Sequence, residues 1–184
     1  MALREIRKDG DPVLRKVARE VTKFDDRLHV LLEDMAETMQ DADGVGLAAP
    51  QIGVRRRVVV IDVGQGVIEL INPRIVDAQG SQCDKEGCLS IPDYSGYVRR
   101  PAKVKVEAQN RHGESFEIEG EELLAVALNH EIDHLDGILF TDKEVEPTEE
   151  ELAILEAKRE AMRKEMERAD AEEAEQGEEG TTVE

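Results

Sequence analysis

Residues 121–136, with the sequence EELLAVALNHEIDHLD, are the stretch that decides the fold. Their leucines, alanines and valine recur at the spacing of an α-helix, and Gly137 follows as a stop signal. A helix this rich in apolar side chains is stable only when other elements cover it. We therefore expect this helix to lie at the centre of the fold.

The pattern HEIDH, His130 to His134, stands near the end of this helix. Two histidines four residues apart share one helix face, so both imidazoles can reach a single metal ion. Glu131 is placed beside them to take a proton from a metal-bound water. Two surface histidines can fall at this spacing by chance, but the apolar flanks indicate partly buried histidines, which need partners.

The third metal ligand is less obvious. In one group of zinc peptidases the pattern continues HExxHxxGxxH, and here Gly137 matches but Phe140 stands at the final histidine. A downstream glutamate is another option, and none stands out in the sequence. Cys88 in EGCLS, residues 86–90, is the better candidate because a thiolate is a strong ligand for borderline-soft divalent ions. A lone cysteine can equally be a small buried apolar residue.

A third segment, GVGLAAPQ at residues 44–51, combines glycines and small residues and is predicted to be a loop. Such a backbone can run close to a bound substrate. The side-chain amide of Gln51 could donate a hydrogen bond to a developing oxyanion. An ordinary glycine-rich turn after a helix would have the same composition.

The remaining pattern predicts an α+β fold, a mostly antiparallel sheet wrapped around the HExxH helix. Residues 25–41 have helical spacing, whereas residues 73–101 carry several glycines and prolines and are predicted to be mainly irregular. Strands are predicted at 58–63, 67–72, 103–108 and 116–120. We expect a catalytic domain at 1–147, a C-terminal helix at 148–170 and an acidic disordered tail at 171–184.

Composition excludes several classes of function. The net charge of −19 over 184 residues argues against direct, broad binding to nucleic acid. The longest largely apolar run, residues 58–63, is far shorter than the roughly 20 residues of a membrane helix. The start MALREIRKDG lacks a signal-peptide core, so a cytoplasmic protein is expected. Two cysteines, Cys83 and Cys88, are too few for a disulfide framework, and no role is expected for Cys83.

GVGLAAPQ, EGCLS and HEIDH, in this order and spacing, resemble the three motifs of the peptide deformylase family. The similarity extends from about Ile6 to about Asp142. It implies the fold of that family and a metal-dependent hydrolase that removes the N-formyl group from the initiator methionine of nascent polypeptides, releasing formate.

The resemblance also implies a role for each motif residue. Cys88, His130 and His134 would bind the metal, with water as fourth ligand, and Glu131 would act as the general base. Gln51 and the backbone N–H of Leu89 would stabilise the oxyanion. Gly46 would bind the peptide backbone, and by position Val45, Val126 and Ile132 are candidates for the methionine pocket.

Cofactor and partners follow from the same resemblance. One divalent ion is expected, ferrous iron by analogy, with nickel, cobalt or zinc able to replace it. The C-terminal segment carries a basic cluster that could contact the ribosome near its exit tunnel, although a solvent-exposed helix laced with ion pairs is the plainer interpretation. A general zinc endopeptidase and an inactive ribosome-binding relative are the alternative functions. The cluster consists of Lys158, Arg159, Arg163, Lys164 and Arg168.

Overall fold

The structure, a computed structural model, describes residues 2–179, with the side chains of residues 2–169. One compact unit extends to Val145, and a second begins at Glu146. Within the described range, one α-helix is followed by seven β-strands and then by two more α-helices. They are α1 (Asp26–Asp41), β1 (Gly46–Ala48), β2 (Val58–Ile61), β3 (Ile68–Gln79), β4 (Gln82–Cys88), β5 (Ile91–Arg100), β6 (Lys103–Gln109), β7 (Ser115–Glu121), α2 (Glu122–Leu135) and α3 (Glu149–Glu179).

The strands form two antiparallel sheets. Five of them pair in the order β1-β2-β3-β6-β7, and β4 and β5 form a separate hairpin. Short 3-10 helices lie at Pro12–Arg15, Ala49–Ile52 and Phe140–Lys143. This architecture confirms the predicted α+β class with mostly antiparallel sheets.

Helix α2 packs on one face of the five-stranded sheet. Ala125, Leu128 and Leu135 are fully buried there against strand residues such as Val59 and Val106. Gly120, just before the helix, lies so close to it that an added Cβ would be 2.7 Å from a Leu128 methyl. The central position predicted for this helix follows from its apolar side chains.

Helix α1 covers the opposite face of the same sheet. Strand β2 reads VVVI and is buried at all four positions. Because successive side chains of a strand point to opposite faces, Val59 and Ile61 join the α2 cluster while Val58 and Val60 join the α1 cluster. One strand therefore contributes to both layers of the core.

Two segments differ from the prediction. Residues 73–101 are mostly strand, because β3 continues to Gln79 and β4 and β5 form the hairpin. Gly80 turns the chain between β3 and β4 at a positive φ of 65°, and Gly96 in β5 leaves room for the Glu144 side chain. These glycines are therefore compatible with long strands in this segment. The predicted loop at 44–51 contains β1 and the start of a 3-10 helix.

Helix α3 begins where the sequence predicted it but ends at Glu179, beyond the predicted end at residue 170. Alanine and glutamate favour helix in the absence of any packing, which accounts for the extension into the acidic segment. Residues 180–184 of the predicted tail lie outside the described residues. Among the helices described, none has the length and apolar character needed to cross a membrane.

The N-terminal segment is tied to α1 by Asp34. This buried carboxylate accepts hydrogen bonds from the Ala2 N–H at 2.7 Å and from Arg4 Nε at 2.8 Å. Burial alone would raise the pKa of Asp34, but these hydrogen bonds outweigh it and hold the pKa below its ordinary value of 3.8. The ionised carboxylate therefore stabilises the folded state.

We expect Asp34→Asn to lower the free energy of unfolding at pH 7 by about 1–3 kcal/mol, because the amide cannot accept all of these hydrogen bonds. The native pKa is lowered, so the contribution is present above the unfolded pKa and is lost as the pH falls through the native pKa. Urea denaturation of both proteins between pH 7 and pH 3 measures this. Asp41→Asn, at the exposed end of α1, is the control. Its free energy of unfolding should stay within about 0.5 kcal/mol of that of the unchanged protein.

Candidate metal centre and active site

Cys88, His130 and His134 converge at one point. Both histidines lie on α2, one turn apart, with ring centroids 4.9 Å from each other. Cys88 ends strand β4 and brings its Sγ to 3.3 Å from His134 Nε2. One ligand atom from each residue lies within 4.8 Å of the other two. Two imidazoles and a thiol at this separation could hold one divalent ion.

Glu86 and Arg100 orient the first of these histidines. Glu86 Oε2 lies 2.8 Å from His130 Nδ1, so the other ring nitrogen is left to face Cys88 and His134. Arg100 holds Glu86 through two hydrogen bonds of 2.8 and 3.0 Å, with both side chains only 3% exposed. Arg100 also pairs with Asp133 at 2.5 Å.

The pKa values of the two histidines shift in opposite directions. Burial lowers the pKa of His130, but the Cys88 thiol and the Glu86 carboxylate outweigh it and raise the pKa to about 10. Burial lowers the pKa of His134, whose Nδ1 has no hydrogen-bond partner among the described residues. The negative groups around His130 and the neutral imidazole of His134 both suit a bound cation, so Cys88, His130 and His134 fit a divalent metal ion.

Glu131 lies beside the cluster and is 4% exposed. Burial raises its pKa to about 7, and its Oε2 has no hydrogen-bond partner in the described part of the chain. A Cβ on Gly46 would lie 2.5 Å from the other carboxylate oxygen. Any side chain at position 46 would therefore displace this carboxylate, whereas glycine lets β1 pass next to it.

Gln51 reaches the cluster from the 3-10 helix that follows β1. Its Oε1 accepts a hydrogen bond from the Ala48 N–H at 2.8 Å, which fixes the plane of the amide. Its Nε2 is 3.2 Å from Ser90 Oγ and 3.5 Å from Cys88 Sγ. The amide donor thus points at the same small volume as the three candidate ligands.

A cavity of about 500 Å³ opens onto these groups. Its polar end is formed by Gln51, Cys88, His130 and Glu131, and Gly46 and Leu89 also line it. The apolar part of the wall consists of Val45, Ile91, Pro92, Leu123, Val126 and Ala127. A partly apolar cavity with several polar groups in its wall suits a peptide with an apolar side chain.

Ile132 was a predicted candidate for the methionine pocket, but it does not line this cavity. It is 7% exposed and packs in the core with Leu128 and Leu135, against the sheet. Two residues along an α-helix turn the side chain by about 200°, so Ile132 lies on the far side of α2 from His130. The structure brings the predicted residues Val45, Gly46 and Val126 to the cavity.

Phe140 occupies the position where the longer zinc-peptidase pattern has its third histidine. It is 1% exposed, and its ring stacks on His130 with centroids 6.0 Å apart. The phenyl ring packs against His130, and Cys88 on the hairpin is the third candidate donor.

Sequence reasoning missed Glu86, Ser90 and Arg100 as parts of the site. Glu86 and Ser90 belong to the EGCLS motif, and that proximity to Cys88 was the available signal. Arg100 lies twelve residues beyond Cys88, in β5, and reaches Glu86 because the hairpin pairs the two strands. No local sequence pattern predicts a contact between residues on two paired strands.

A larger cleft of about 680 Å³ lies elsewhere, lined by Arg57, Asn72, Arg74 and Phe116 among others. Its lining contains no histidine or cysteine. The chemistry described above therefore belongs to the smaller cavity.

A buried glutamate next to a His-His-Cys cluster, at the end of an apolar cavity, defines a metal-dependent hydrolase of the HExxH class. Comparison with known proteins agrees. A family model described as polypeptide deformylase matches residues 3–150. The peptide deformylase of Alkaliphilus metalliredigens is 67% identical over 143 residues, covering 78% of this chain and 97% of that protein.

Solved structures give the same result. The Thermotoga maritima peptide deformylase has a TM-score of 0.78 at 45% identity, covering 79% of this chain and all of that one (100%). An Acinetobacter baumannii peptide deformylase, solved with Met-Ala-Ser bound, has a TM-score of 0.74 at 31% identity. The match covers 77% of this chain and 98% of that one.

The chain belongs to the polypeptide deformylase family. Its members are metal-dependent hydrolases that remove the N-formyl group from the initiator methionine of nascent polypeptides. The family, the enzyme class and the reaction predicted from the three motifs are therefore confirmed.

We expect Cys88→Ala to weaken metal binding by about 100-fold or more, because one of three protein ligands is lost. Metal per chain after dialysis against a competing chelator, measured by mass spectrometry, gives the comparison. Cys83→Ala is the matched control, since Cys83 lies on the same strand but outside the cluster. Equal metal content in the two variants would contradict the assignment of Cys88.

Proposed function

We propose that this protein deformylates nascent polypeptides with Cys88, His130 and His134 holding a divalent ion and Glu131 as the general base. The observation that carries the proposal is the buried carboxylate of Glu131, adjacent to the convergent ligand set and open to an apolar cavity. Each of these groups has the chemistry that hydrolysis of a formamide bond requires.

The metal is proposed to be ferrous iron, with nickel, cobalt or zinc able to take its place, because a His₂Cys ligand set suits several such ions. When bound, the ion would supply Lewis acidity and make water more acidic at the formyl carbon. Glu86, hydrogen-bonded to His130 Nδ1, would keep the ring oriented for coordination.

Glu131 is proposed to move the proton. Its Oε2 accepts the proton of the attacking water, and the same carboxyl returns it to the departing amine of methionine. A pKa raised to about 7 by burial suits a group that must accept and then donate near neutral pH. Close packing against Gly46 keeps the carboxylate in one orientation during both transfers.

The oxyanion is proposed to be stabilised by Gln51 Nε2 and by the backbone N–H of Leu89. The Gln51 amide is fixed by the Ala48 N–H, so its donor is oriented before the substrate arrives. Leu89 follows Cys88 at the turn of the hairpin and lines the same cavity. Donors fixed in advance cost no reorganisation in the transition state.

The substrate is proposed to enter along β1, which is an edge strand of the five-stranded sheet. Gly46 would offer its backbone to the extended peptide, and Val45 and Val126 would contact the methionine side chain. The Met-Ala-Ser bound to the Acinetobacter relative supports a peptide that begins with methionine.

We expect Glu131→Gln to lower kcat for formyl-Met-Ala-Ser by about 100-fold or more, with metal content unchanged. The amide keeps the shape of the side chain but cannot accept a proton. Formate release by anaerobically prepared protein, with metal quantified in the same sample, measures both quantities.

Glu121→Gln, at an exposed glutamate next to α2, is the control and should keep full activity. Comparable kcat in the two variants would exclude Glu131 as the base. Bound metal without formate release by the unchanged protein would exclude the substrate, and unformylated peptides would then test endopeptidase activity.

Contact with the ribosome through α3 is a further proposal, as is a cytoplasmic location, where formylated nascent chains emerge. The basic cluster of α3 supports such contact. Two of its members also form ion pairs within the helix, Lys164 with Glu160 at 2.8 Å and Arg163 with Glu167 at 3.6 Å. These pairs favour the simpler role of a solvated helix.

Charge removal at Lys158 and Arg159, as Lys158→Gln with Arg159→Gln, tests the docking. If the cluster binds ribosomes, co-sedimentation should fall several-fold and should weaken in the unchanged protein as salt rises. Glu150→Gln with Glu156→Gln is the matched control on the same helix. Equal sedimentation of all three proteins would remove the docking proposal.

A further inference from the structure

The segment before the first 3-10 helix contacts two separate parts of the active site. Arg7 donates its backbone N–H to the Gln51 carbonyl at 2.7 Å, and Asp9 donates its own to the Ser90 carbonyl at 2.9 Å. Between them, Lys8 Nζ donates to the Leu89 carbonyl at 2.8 Å. We call residues 7–9 the strap.

The strap joins elements that belong to different sheets and adds backbone hydrogen bonds to the direct contact of Gln51 with Ser90. Gln51 belongs to the 3-10 helix that follows β1, and β1 is part of the five-stranded sheet. Leu89 and Ser90 form the turn of the separate hairpin. Both oxyanion donors of the proposed mechanism lie at these two places. Their separation therefore depends on contacts made between the two elements.

Leu89 itself is held on several sides. Its side chain packs so closely on Gly44 that a Cβ there would be 2.7 Å from a Leu89 methyl. The next residue, Ser90, is held by the strap through its carbonyl and by Gln51 Nε2 through its hydroxyl. The Leu89 carbonyl is held by Lys8. A shift of the backbone at Leu89 would disturb these contacts.

We propose that Lys8 is a positioning residue for deformylation, acting through the Leu89 backbone to aim the Leu89 N–H at the oxyanion. This inference rests on the proposed function, which uses that N–H. Lys8 does not touch the substrate cavity, since it is absent from the residues that line it. Its exposed side chain is anchored at one end by a turn in which Asp11 donates to the Lys8 carbonyl at 3.0 Å.

The strap can fill this role because the chain reverses directly after it. Gly10 adopts a positive φ of 96°, and Asp11 caps the following 3-10 helix by accepting from the Val13 N–H. The turn is therefore tight, and Lys8 starts from a defined backbone position. A long side chain that starts from a fixed point loses less freedom when it binds a carbonyl.

The test is Lys8→Met, which keeps the length of the side chain and removes the donor. We expect kcat for formyl-Met-Ala-Ser to fall about tenfold, with KM within about twofold of the value of the unchanged protein. A misplaced donor reduces the stabilisation of the transition state more than it reduces substrate binding. Lys8→Arg should restore most of kcat because the guanidinium can reach the same carbonyl. Melting temperature and metal content should stay at the values of the unchanged protein.

A second readout does not depend on activity. In zinc-loaded protein labelled with ¹⁵N-leucine, the Leu89 amide resonance should shift in Lys8→Met and return in Lys8→Arg. Lys23→Met, an exposed lysine further along the N-terminal segment, is the control and should change neither the rate nor that resonance.

The outcomes separate the two proposals. A kcat for Lys8→Met within twofold of the unchanged protein overturns the role of Lys8, and so does a loss of kcat without movement of the Leu89 resonance. Failure of the unchanged protein to release formate would overturn the proposed function instead. In that case the amide shift would still report whether Lys8 orients Leu89.

Discussion

The burial of α2 is the constraint on which the rest of the structure depends. One side of this helix is apolar and packs on the five-stranded sheet, yet Asn129, His130, Glu131 and His134 are buried as well. A buried polar side chain is costly unless it finds a partner. Asn129 donates to the Ala125 carbonyl within the helix, and His130 contacts Glu86. The other two side chains are His134, which contacts Cys88, and Glu131, which lines the cavity. The packing of the helix on the sheet therefore also positions the residues of the site.

The β4–β5 hairpin supplies what the helix lacks. It carries Cys88 to the two histidines and Glu86 to His130. Its last residue, Arg100, forms ion pairs with Glu86 and Asp133, and Lys143 also pairs with Asp133. These charges are stable in the interior only as a group, because loss of one member leaves another buried and unpaired. The pairing also explains why Glu86 keeps a lowered pKa: burial raises it, but the hydrogen bonds from His130 and Arg100 prevail. The hairpin is thereby held against α2 by the same contacts that orient a ligand.

The active site is thus assembled from four parts of the chain that are distant in sequence. The proposed general base lies on α2, the thiol and one proposed backbone donor lie on the hairpin, Gln51 follows β1, and the strap at residues 7–9 connects the last two. Glycines permit the closest approaches, at Gly44 to Leu89 and at Gly46 to Glu131. The site is rigid because each part is bonded to at least one other, which is what fixed oxyanion donors require.

The sequence by itself determined the elements with a strong period and the groups carried by short motifs. Helices α1 and α2, strand β6 and the class of the fold could be predicted, because spacing along one helix or one turn is local. The short motifs also named five candidate site residues that the structure brings together, Gln51, Cys88, His130, Glu131 and His134. The tertiary structure alone decided the long hairpin within residues 73–101, the partnership of Glu86 with Arg100, the removal of Ile132 from the cavity, and the contact of Lys8 with Leu89. The physical reason is that pairing between strands and the orientation of a helix face depend on residues far away in the chain, and no local pattern records them.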